Sequence, residues 1–389
     1  MRIAFFSNAY QPTISGVVTS IRLFRQGLVE KGHEISIIAP EHTHFIDSEP
    51  YIFRAPAIDF SKQVDMNLAI PLRGPLERTI SGLKPQVIHS HHPIIMGDVA
   101  ASFSRHKKIP LVFTYHTLYK EYAHKYVPFM PKLAGIIMDG IVDRYLDQCT
   151  HIIAPTVSIR DLIYRKYAVK SPVTIVHTPV DLSRYQKLDP QKMRDRFALN
   201  DCKVLLYAGR LSEEKNLTFL IQSFARLVHS FAKARLMLVG RGVDEALLRK
   251  LVKNLQLDEQ VIFTGPVSFE DIPHYAAAAD LFVFPSQTDT QGLVLIEAMA
   301  AGTPVVAVDA PSSRDVLQHG GGILAPAQLD HFADILLHLL TDPARLQALS
   351  TRARQVVQQY DIPTAVDRLV AVYQDVIASY SSSPERKQG

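Results

Sequence analysis

The 389-residue chain contains no tryptophan and only two cysteines, and no apolar run approaches the length of a membrane-spanning helix. Because Cys149 and Cys202 do not form a close pair, a disulfide framework is not expected and a reducing cytoplasm is the predicted compartment. The longest nearly apolar stretches fall far short of the roughly 18 residues that a spanning helix needs. The N-terminus enters a strand-like segment directly, without the features of a cleavable signal.

The sequence also lacks a basic run interleaved with aromatics, a helix-turn-helix signature and an RNA-binding signature, so no nucleic-acid partner is expected. The net charge is only +4, yet it is unevenly distributed. Residues 1–180 hold 20 Lys/Arg against 14 Asp/Glu, and the remainder holds 22 against 24. A basic first half can attract an anionic surface or substrate. The alternative is an ordinary solvated surface with a chance imbalance.

Short apolar, β-branched runs alternate with helical patterns along the whole chain, which predicts an α/β fold with parallel sheets covered on both faces. The predicted strands are 3–7, 34–39, 87–89, 110–115, 151–155, 173–177, 204–208, 235–239, 261–264, 281–285 and 304–308. The pattern restarts near residue 203 after the polar stretch 181–200, where we place the linker. We therefore expect two doubly wound domains facing each other across a cleft, with ligands at the carboxyl ends of the strands.

The segment from Phe284 to Ala307 holds the strongest functional pattern. A strand ends near Pro285, a polar loop with Gly292 follows, and a helix then carries Glu297. The loop and the helix start predict an anion site formed by main-chain N–H groups and the helix dipole. Glu297 can accept hydrogen bonds from two ribose hydroxyls, and Asp289 can reach a sugar. Taken alone, Glu297 would more often be a capping or ion-paired carboxylate.

A second segment, Tyr207–Asn216, has a strand that ends at Gly209 and a turn that carries Arg210 and Lys215. A guanidinium binds phosphate in a bidentate manner and an ammonium adds a point charge, so the pair can bind a phosphate group. In isolation, such cations are usually surface residues.

Together these segments resemble the retaining glycosyltransferases of the GT-B fold, specifically family four. That family carries Glu-x7-Glu in a similar context, and this chain departs from it with Asp289 in place of the first Glu. The resemblance implies that Arg210 and Lys215 hold the donor diphosphate and that Asp289 contacts the sugar. It implies no cofactor and no metal, and the sequence has no Asp-x-Asp, the metal-holding signature of the other main glycosyltransferase fold. The implied donor-binding residues are Gly16, Gly209, Arg210, Lys215, Gly240, Val267, Gly292, Leu293 and Glu297.

The first half of the chain contains the residues that the resemblance assigns to binding of the sugar acceptor. The family has a His at the place of His116, which contacts the sugar or orients the acceptor, and Tyr-His-Thr-x-Tyr-x-x-Tyr-x-His is most similar to the subgroup that glycosylates diacylglycerol. In that subgroup the following region contacts lipid, and stretch 127–138 is apolar. The implied acceptor or membrane residues are His91, Tyr119, Tyr122, Phe129 and Lys132. The alternatives are a zinc site at His89 and His91 and an ordinary packed amphipathic helix.

The resulting prediction is a retaining, metal-independent hexosyltransferase that transfers glucose from UDP-glucose to diacylglycerol at the inner face of an anionic membrane. The alternatives are a GDP-mannose-dependent mannosyltransferase acting on phosphatidylinositol or a soluble sugar, a sugar-nucleotide epimerase, and an inactive binding module. The predicted acceptor domain spans 1–182 and the donor domain spans 183–362. A C-terminal helix, 363–380, returns to the first domain, and a disordered tail, 381–389, follows it.

Overall fold

The computed structural model describes residues 1–42, 45–59, 67–70, 73–119 and 131–382. The chain forms two compact units, one of residues 1–179 together with 362–389 and the other of residues 180–361. The predicted boundary between the domains lies three residues beyond the observed one, and the tail from residue 383 onward lies outside the described residues. Within the described residues, no helix combines the length and the apolarity needed to cross a membrane.

The first unit is built on a seven-stranded sheet in the order β3-β2-β1-β6-β7-β8-β9, and all of its strand pairs are parallel. A separate antiparallel pair is formed by β4 and β5. The strands are β1 (Arg2–Phe6), β2 (Glu34–Pro40), β3 (Ile52–Ala55), β4 (Ala57–Asp59), β5 (Asn67–Ala69), β6 (Val87–Ser90), β7 (Leu111–Thr114), β8 (His151–Ala154) and β9 (Val173–Ile175).

Helices connect these strands, and one further helix returns to the unit from the C-terminus. They are α1 (Gly16–Glu30), α2 (Arg73–Leu83), α3 (Met96–Lys107), α4 (Pro131–Leu146), α5 (Val157–Lys166) and, at the end of the chain, α14 (Ile362–Ser382). Helix α14 packs on α1, where a Cβ on Gly27 would lie 2.6 Å from the side chains of Ile362 and Val366. The missing side chain of Gly27 therefore permits the close approach of the two helices.

The second unit contains a six-stranded parallel sheet in the order β12-β11-β10-β13-β14-β15. Counted from its first strand, this is the 3-2-1-4-5-6 order of a Rossmann fold, so strand order reverses between β10 and β13. The strands are β10 (Lys203–Ala208), β11 (Ala234–Val239), β12 (Val261–Gly265), β13 (Leu281–Phe284), β14 (Val305–Val308) and β15 (Gly322–Ala325).

The helices of the second unit cover both faces of its sheet, as a parallel sheet requires. They are α6 (Pro190–Arg196), α7 (Leu217–Ser230), α8 (Glu245–Asn254), α9 (Ile272–Ala278), α10 (Leu293–Ala300), α11 (Pro311–Leu317), α12 (Leu329–Leu340) and α13 (Pro343–Val356). Three short 3₁₀ turns, Leu182–Tyr185, Glu213–Lys215 and Val357–Tyr360, complete it.

Each sheet lies between two hydrophobic clusters, which confirms the predicted two-domain α/β architecture. Every strand predicted from the apolar runs is present, with its ends displaced by at most two residues. The segment 181–200, where we expected the linker, instead belongs to the second unit. Met193 and Leu199 of that segment are 4% and 1% exposed and lie in its core, which explains why the segment is ordered there.

Candidate functional site

In the second unit, the loops after β10 and β13 leave the sheet at the point where strand order reverses. They are joined by side-chain bonds: Asn216 Nδ2 donates to the carbonyl oxygen of Pro285 at 3.4 Å. The hydroxyls of Ser286 and Thr288 donate to the carbonyl oxygen of Glu214 at 3.3 and 3.4 Å. The two segments that the sequence singled out therefore form one structural element at the ligand-binding edge of a Rossmann sheet.

An ion pair lies within this element, because Lys215 Nζ is 2.6 Å from Asp289 Oδ1. The two side chains are only 13% and 22% exposed, so the attraction is weakly screened by solvent. Asp289 Oδ2 is buried and has no hydrogen-bond partner among the described residues. Arg210 is 57% exposed, and its Nη2 lies 3.3 Å from Glu214 Oε1. The structure thus brings together the predicted Arg210, Lys215 and Asp289, although the sequence did not predict the ion pair.

Glycine permits the loops after β10 and β11 to lie directly against each other. Gly209 N donates to the carbonyl of Val239, and Gly240 N donates to that of Gly265 at 3.0 Å. Gly240 has a φ of +131°, and a Cβ there would lie 2.0 Å from the carbonyl oxygen of Gly209. No residue with a side chain fits this position, so Gly240 is required for the close packing at the carboxyl edge.

The predicted ribose ligand, Glu297, lies on α10, whose N-cap Gly292 has a left-handed φ of +66°. Burial raises the pKa of Glu297 to about 7, and the nearby Arg184 guanidinium opposes that rise. The hydroxyl of Tyr185 is buried and has no hydrogen-bond partner among the described residues. Burial, and secondly the charge of Glu297, raise the pKa of Tyr185 well above its ordinary value. The carboxyl of Glu297 therefore lies where a hydrogen-bond donor from a ligand would stabilise its charged form.

Arg184 and Tyr185 were not predicted from the sequence, because they lie in the polar stretch taken for a linker. Arg184 donates to the carbonyl oxygen of Phe269, and its Cζ lies 3.6 Å from the centre of the Phe269 ring. Val267, from the same loop, packs against the hydrophobic core, as does Leu293 at the start of α10. Donor contacts at Val267 and Leu293 would therefore involve mainly the main chain.

In the first unit, the carboxyl ends of β6 and β7 bring histidines into one cluster. His91 Nδ1 lies 3.0 Å from His116 Nε2, and the two nearly parallel rings have centroids 5.2 Å apart. The ring of His89 stacks on His91 with centroids 4.4 Å apart. His89 is itself held by the hydroxyl of Tyr373 at 2.6 Å and by that of Thr114 at 2.7 Å. The predicted His91 and His116 are thus in direct contact, and His91 is only 1% exposed.

Burial lowers the pKa of every imidazole in this cluster and of the neighbouring His92. The pKa of His89 falls to about 3 and that of His92 to about 4, while those of His91 and His116 fall well below 6.5. All four rings are therefore neutral at neutral pH. In the described ranges, no group of three His, Cys, Asp or Glu side chains is arranged to hold a metal ion.

The loop between β1 and α1 is anchored to this cluster. Asn8 N donates to His92 Nδ1 and Asn8 Oδ1 accepts from Met96 N, both at 3.1 Å. Ser15 caps α1 by accepting from Val18 N at 3.2 Å. The predicted Gly16 is the exposed first residue of that helix, so it lies where free main-chain N–H groups point outward.

The predicted acceptor residues are only partly covered by the structure. Tyr119 is 8% exposed and packs edge-on against Tyr115 in the core. Tyr122 and Phe129 lie outside the described residues. Lys132 belongs to α4, but the described part of the chain does not include its side chain.

Comparison with known proteins agrees with this geometry. Residues 14–184 match the family model for glycosyltransferase family 4, and residues 189–356 match that for glycosyl transferases group 1. The chain is 32% identical to D-inositol 3-phosphate glycosyltransferase 1 from Catenulispora acidiphila, and the match covers 77% of this chain and 74% of that protein. The chain belongs to glycosyltransferase family 4.

Other relatives of this family 4 glycosyltransferase match its full length. It is 28% identical to the alpha-monoglucosyldiacylglycerol synthase of Acholeplasma laidlawii, over 100% of both chains. The crystal structure of Anabaena HepE in complex with UDP and glucose has a TM-score of 0.78 at 19% identity, and the match covers 96% of this chain and 100% of HepE. Structural neighbours of this kind confirm the expected GT-B fold, with two Rossmann-like domains.

Proposed function

We propose that this glycosyltransferase transfers glucose from UDP-glucose to diacylglycerol with retention of anomeric configuration and without a metal ion. The observation that carries the proposal is the pair of loops after β10 and β13, where Lys215 is paired with Asp289 and Arg210 with Glu214 at the strand-order reversal. Cations beside a carboxylate suit a nucleoside diphosphate joined to a sugar, because the cations can bind the phosphates and the carboxylate can bind sugar hydroxyls. The name of the Acholeplasma laidlawii relative supports glucose and diacylglycerol, and the HepE complex supports a UDP-linked donor.

In the proposed reaction, Arg210 and Lys215 stabilise the negative charge that the departing diphosphate gains as its bond to the sugar breaks. Lys215 is fixed by its ion pair, so little reorganisation is needed when charge develops. The diphosphate leaves from the same face of the sugar on which the acceptor hydroxyl attacks, and a phosphate oxygen takes the hydroxyl proton. Because cations of the chain meet the charge, no metal is required.

The two carboxylate oxygens of Asp289 have different surroundings, which suits one to an ion pair and the other to contact with the sugar. Oδ1 is paired with Lys215, whereas Oδ2 is buried without a partner among the described residues. A hydroxyl of the donor sugar would satisfy Oδ2, and this favours binding because leaving a buried acceptor unpaired costs on the order of 1–3 kcal/mol. Lys215 therefore orients Asp289, and the shorter side chain does not by itself exclude contact with the sugar.

The acceptor lies in a membrane, and we propose that α4 attaches the enzyme to it as a peripheral protein. One face of α4 is apolar and exposed: Leu133, Ile136, Ile137 and Ile141 are 45%, 67%, 54% and 36% exposed. Fully burying one such side chain contributes about 1.5–3 kcal/mol, so partial insertion of several is sufficient for reversible attachment.

Charge next to this face selects an anionic surface. Helix α5 is joined to α4 by an ion pair, because Lys166 Nζ lies 2.5 Å from Asp139 Oδ1. The nearby Arg165 and Lys170 are exposed, as is Arg144 on α4 itself. Near an anionic leaflet each cation contributes about 1 kcal/mol, and salt weakens this attraction. The proposed location is thus the cytoplasmic, inner face of the membrane.

The test is a panel of sugar nucleotides, including UDP-glucose and GDP-mannose, with vesicles that contain or lack diacylglycerol or phosphatidylinositol. The proposal predicts a glycolipid formed only from UDP-glucose and diacylglycerol, at an unchanged rate in excess chelator. A mannolipid from GDP-mannose would overturn the donor assignment. A new sugar nucleotide formed without acceptor would identify an epimerase, and no turnover of any donor would favour a binding module.

A further inference from the structure

The histidine cluster of the first unit holds His91 in a single orientation. The ring of His89 stacks on it at an interplanar angle of 29°, and the ring of His116 lies at its Nδ1 edge at 26°. The edge of Phe5 closes a third side at 5.0 Å. Rotation of the ring would break these contacts in a well-packed interior, so His91 Nδ1 stays directed at His116 Nε2.

The other ring nitrogen of His91, Nε2, indicates which ring donates in the hydrogen bond between His91 and His116. His91 Nε2 is buried and has no hydrogen-bond partner among the described residues. A buried N–H without an acceptor is rare, because the great majority of buried donors in folded proteins are paired. The proton of neutral His91 is therefore on Nδ1, and Nδ1–H donates to His116 Nε2. His116, which is also neutral, then carries its own proton on Nδ1.

We infer that His91 is a positioning residue for His116: it fixes one tautomer and one orientation of the ring that, by the family resemblance, contacts the sugar or orients the acceptor. This replaces the expectation that His91 itself contacts the acceptor, because a side chain 1% exposed offers little surface to a ligand. Since Nε2 of His116 is already occupied, His116 orients a substrate group through a hydrogen bond and does not take the acceptor proton at Nε2.

The chain offers matched variants for a test. His91→Phe keeps the stacked ring and removes the donor, whereas His91→Asn places an amide N–H near the position of Nδ1. Tyr373→Phe removes a hydrogen bond from the same cluster, at His89, without touching His116. We expect His91→Phe to lower kcat by up to about 100-fold through misplacement of His116, with little change in the KM for donor. We expect His91→Asn to restore most of the turnover and Tyr373→Phe to leave it unchanged.

The kinetic part of the inference rests on the proposed function, but the tautomer is measured on the protein alone. In ¹⁵N-histidine NMR spectra of the wild-type protein, with His116 assigned through His116→Asn, the proton of His116 is expected on Nδ1. His91→Phe should convert this to a mixture of tautomers. A proton on Nε2 of wild-type His116 would overturn the inference even if every variant failed to fold. So would an unchanged tautomer in His91→Phe with a raised KM for lipid, since that pattern indicates direct contact with the acceptor.

Discussion

Donor binding should be linked to the release of a proton from Glu297. In the free protein burial holds the pKa of this carboxyl at about 7, so half of the molecules carry the proton at pH 7. Ribose hydroxyls that donate to the carboxyl favour its charged form and lower the pKa. If the pKa in the complex falls below about 5, the apparent Kd for donor tightens about tenfold between pH 6 and pH 8, and about half a proton is released at pH 7.

The assay is calorimetric titration with UDP-glucose at pH 6, 7 and 8, in two buffers of different ionisation enthalpy. UDP-glucose suits this range because its diphosphate does not titrate there. Glu297→Gln should bind more weakly and lose the proton release and the pH dependence together. Glu245→Gln, in an exposed pair with Arg249, should behave like the wild type. Wild-type binding without proton release, or release that persists in Glu297→Gln, would remove Glu297 from the ribose site.

The same raised pKa has an effect on stability that can be measured without ligand. An unfolded Glu titrates near 4.5, so between about pH 4.5 and 7 the folded chain binds more protons than the unfolded chain. The contribution of Glu297 to the free energy of unfolding is therefore greatest below pH 4.5 and decreases as pH rises through 7. The difference between wild-type and Glu297→Gln unfolding midpoints should follow this trend. A difference independent of pH would show that the carboxyl has an ordinary pKa.

Three further outcomes are expected. Lys215→Ala should reduce turnover at saturating donor by about 10²–10³, as when one stabiliser of developing charge is lost, while Arg249→Ala should have no such effect; equal turnover in both would remove Lys215 from the diphosphate site. Asp289→Glu should keep or raise activity by restoring the longer reach, and complete loss would show a pocket built around the shorter side chain. Ile136→Ser combined with Ile137→Ser should weaken sedimentation with anionic vesicles and leave donor Kd unchanged; unaltered sedimentation would contradict the α4 surface.

Continuous apolar runs were sufficient to predict most of both sheets, because strands buried on both faces leave that local signal. The apolar runs did not predict β3 (Ile52–Ala55) or β15 (Gly322–Ala325). Both strands are short; β3 is interrupted by Arg54, and β15 begins with a glycine. The start of helix α1 at Gly16 is set by the side chain of Ser15, which caps it, and a pattern of apolar residues does not record such a cap. Propensity and pattern therefore predict which elements exist better than where they end.

The residues of the candidate site could be predicted from the sequence only where they lie together in one local motif. Arg210, Lys215, Asp289 and Glu297 lie in two such motifs, and the loops that hold them do meet. The Lys215–Asp289 ion pair joins residues 74 apart, for which the sequence contains no local signal. The partial burial of Tyr185 near Glu297 could not be predicted for a different reason. The segment that contains Tyr185 is polar overall, and only isolated apolar residues of it pack against the core. Such contacts depend on the tertiary fold.

The central claim is tested most directly by the anomeric configuration of the lipid product. Purified protein is incubated with UDP-glucose, in which glucose is α-linked, and with diacylglycerol vesicles in excess chelator; the glycolipid is then isolated for ¹H NMR. The account predicts an α-glucosyl lipid, because donor and acceptor exchange on the same face of the sugar. A β-glucosyl lipid, or a product formed only after a divalent cation is restored, would contradict it.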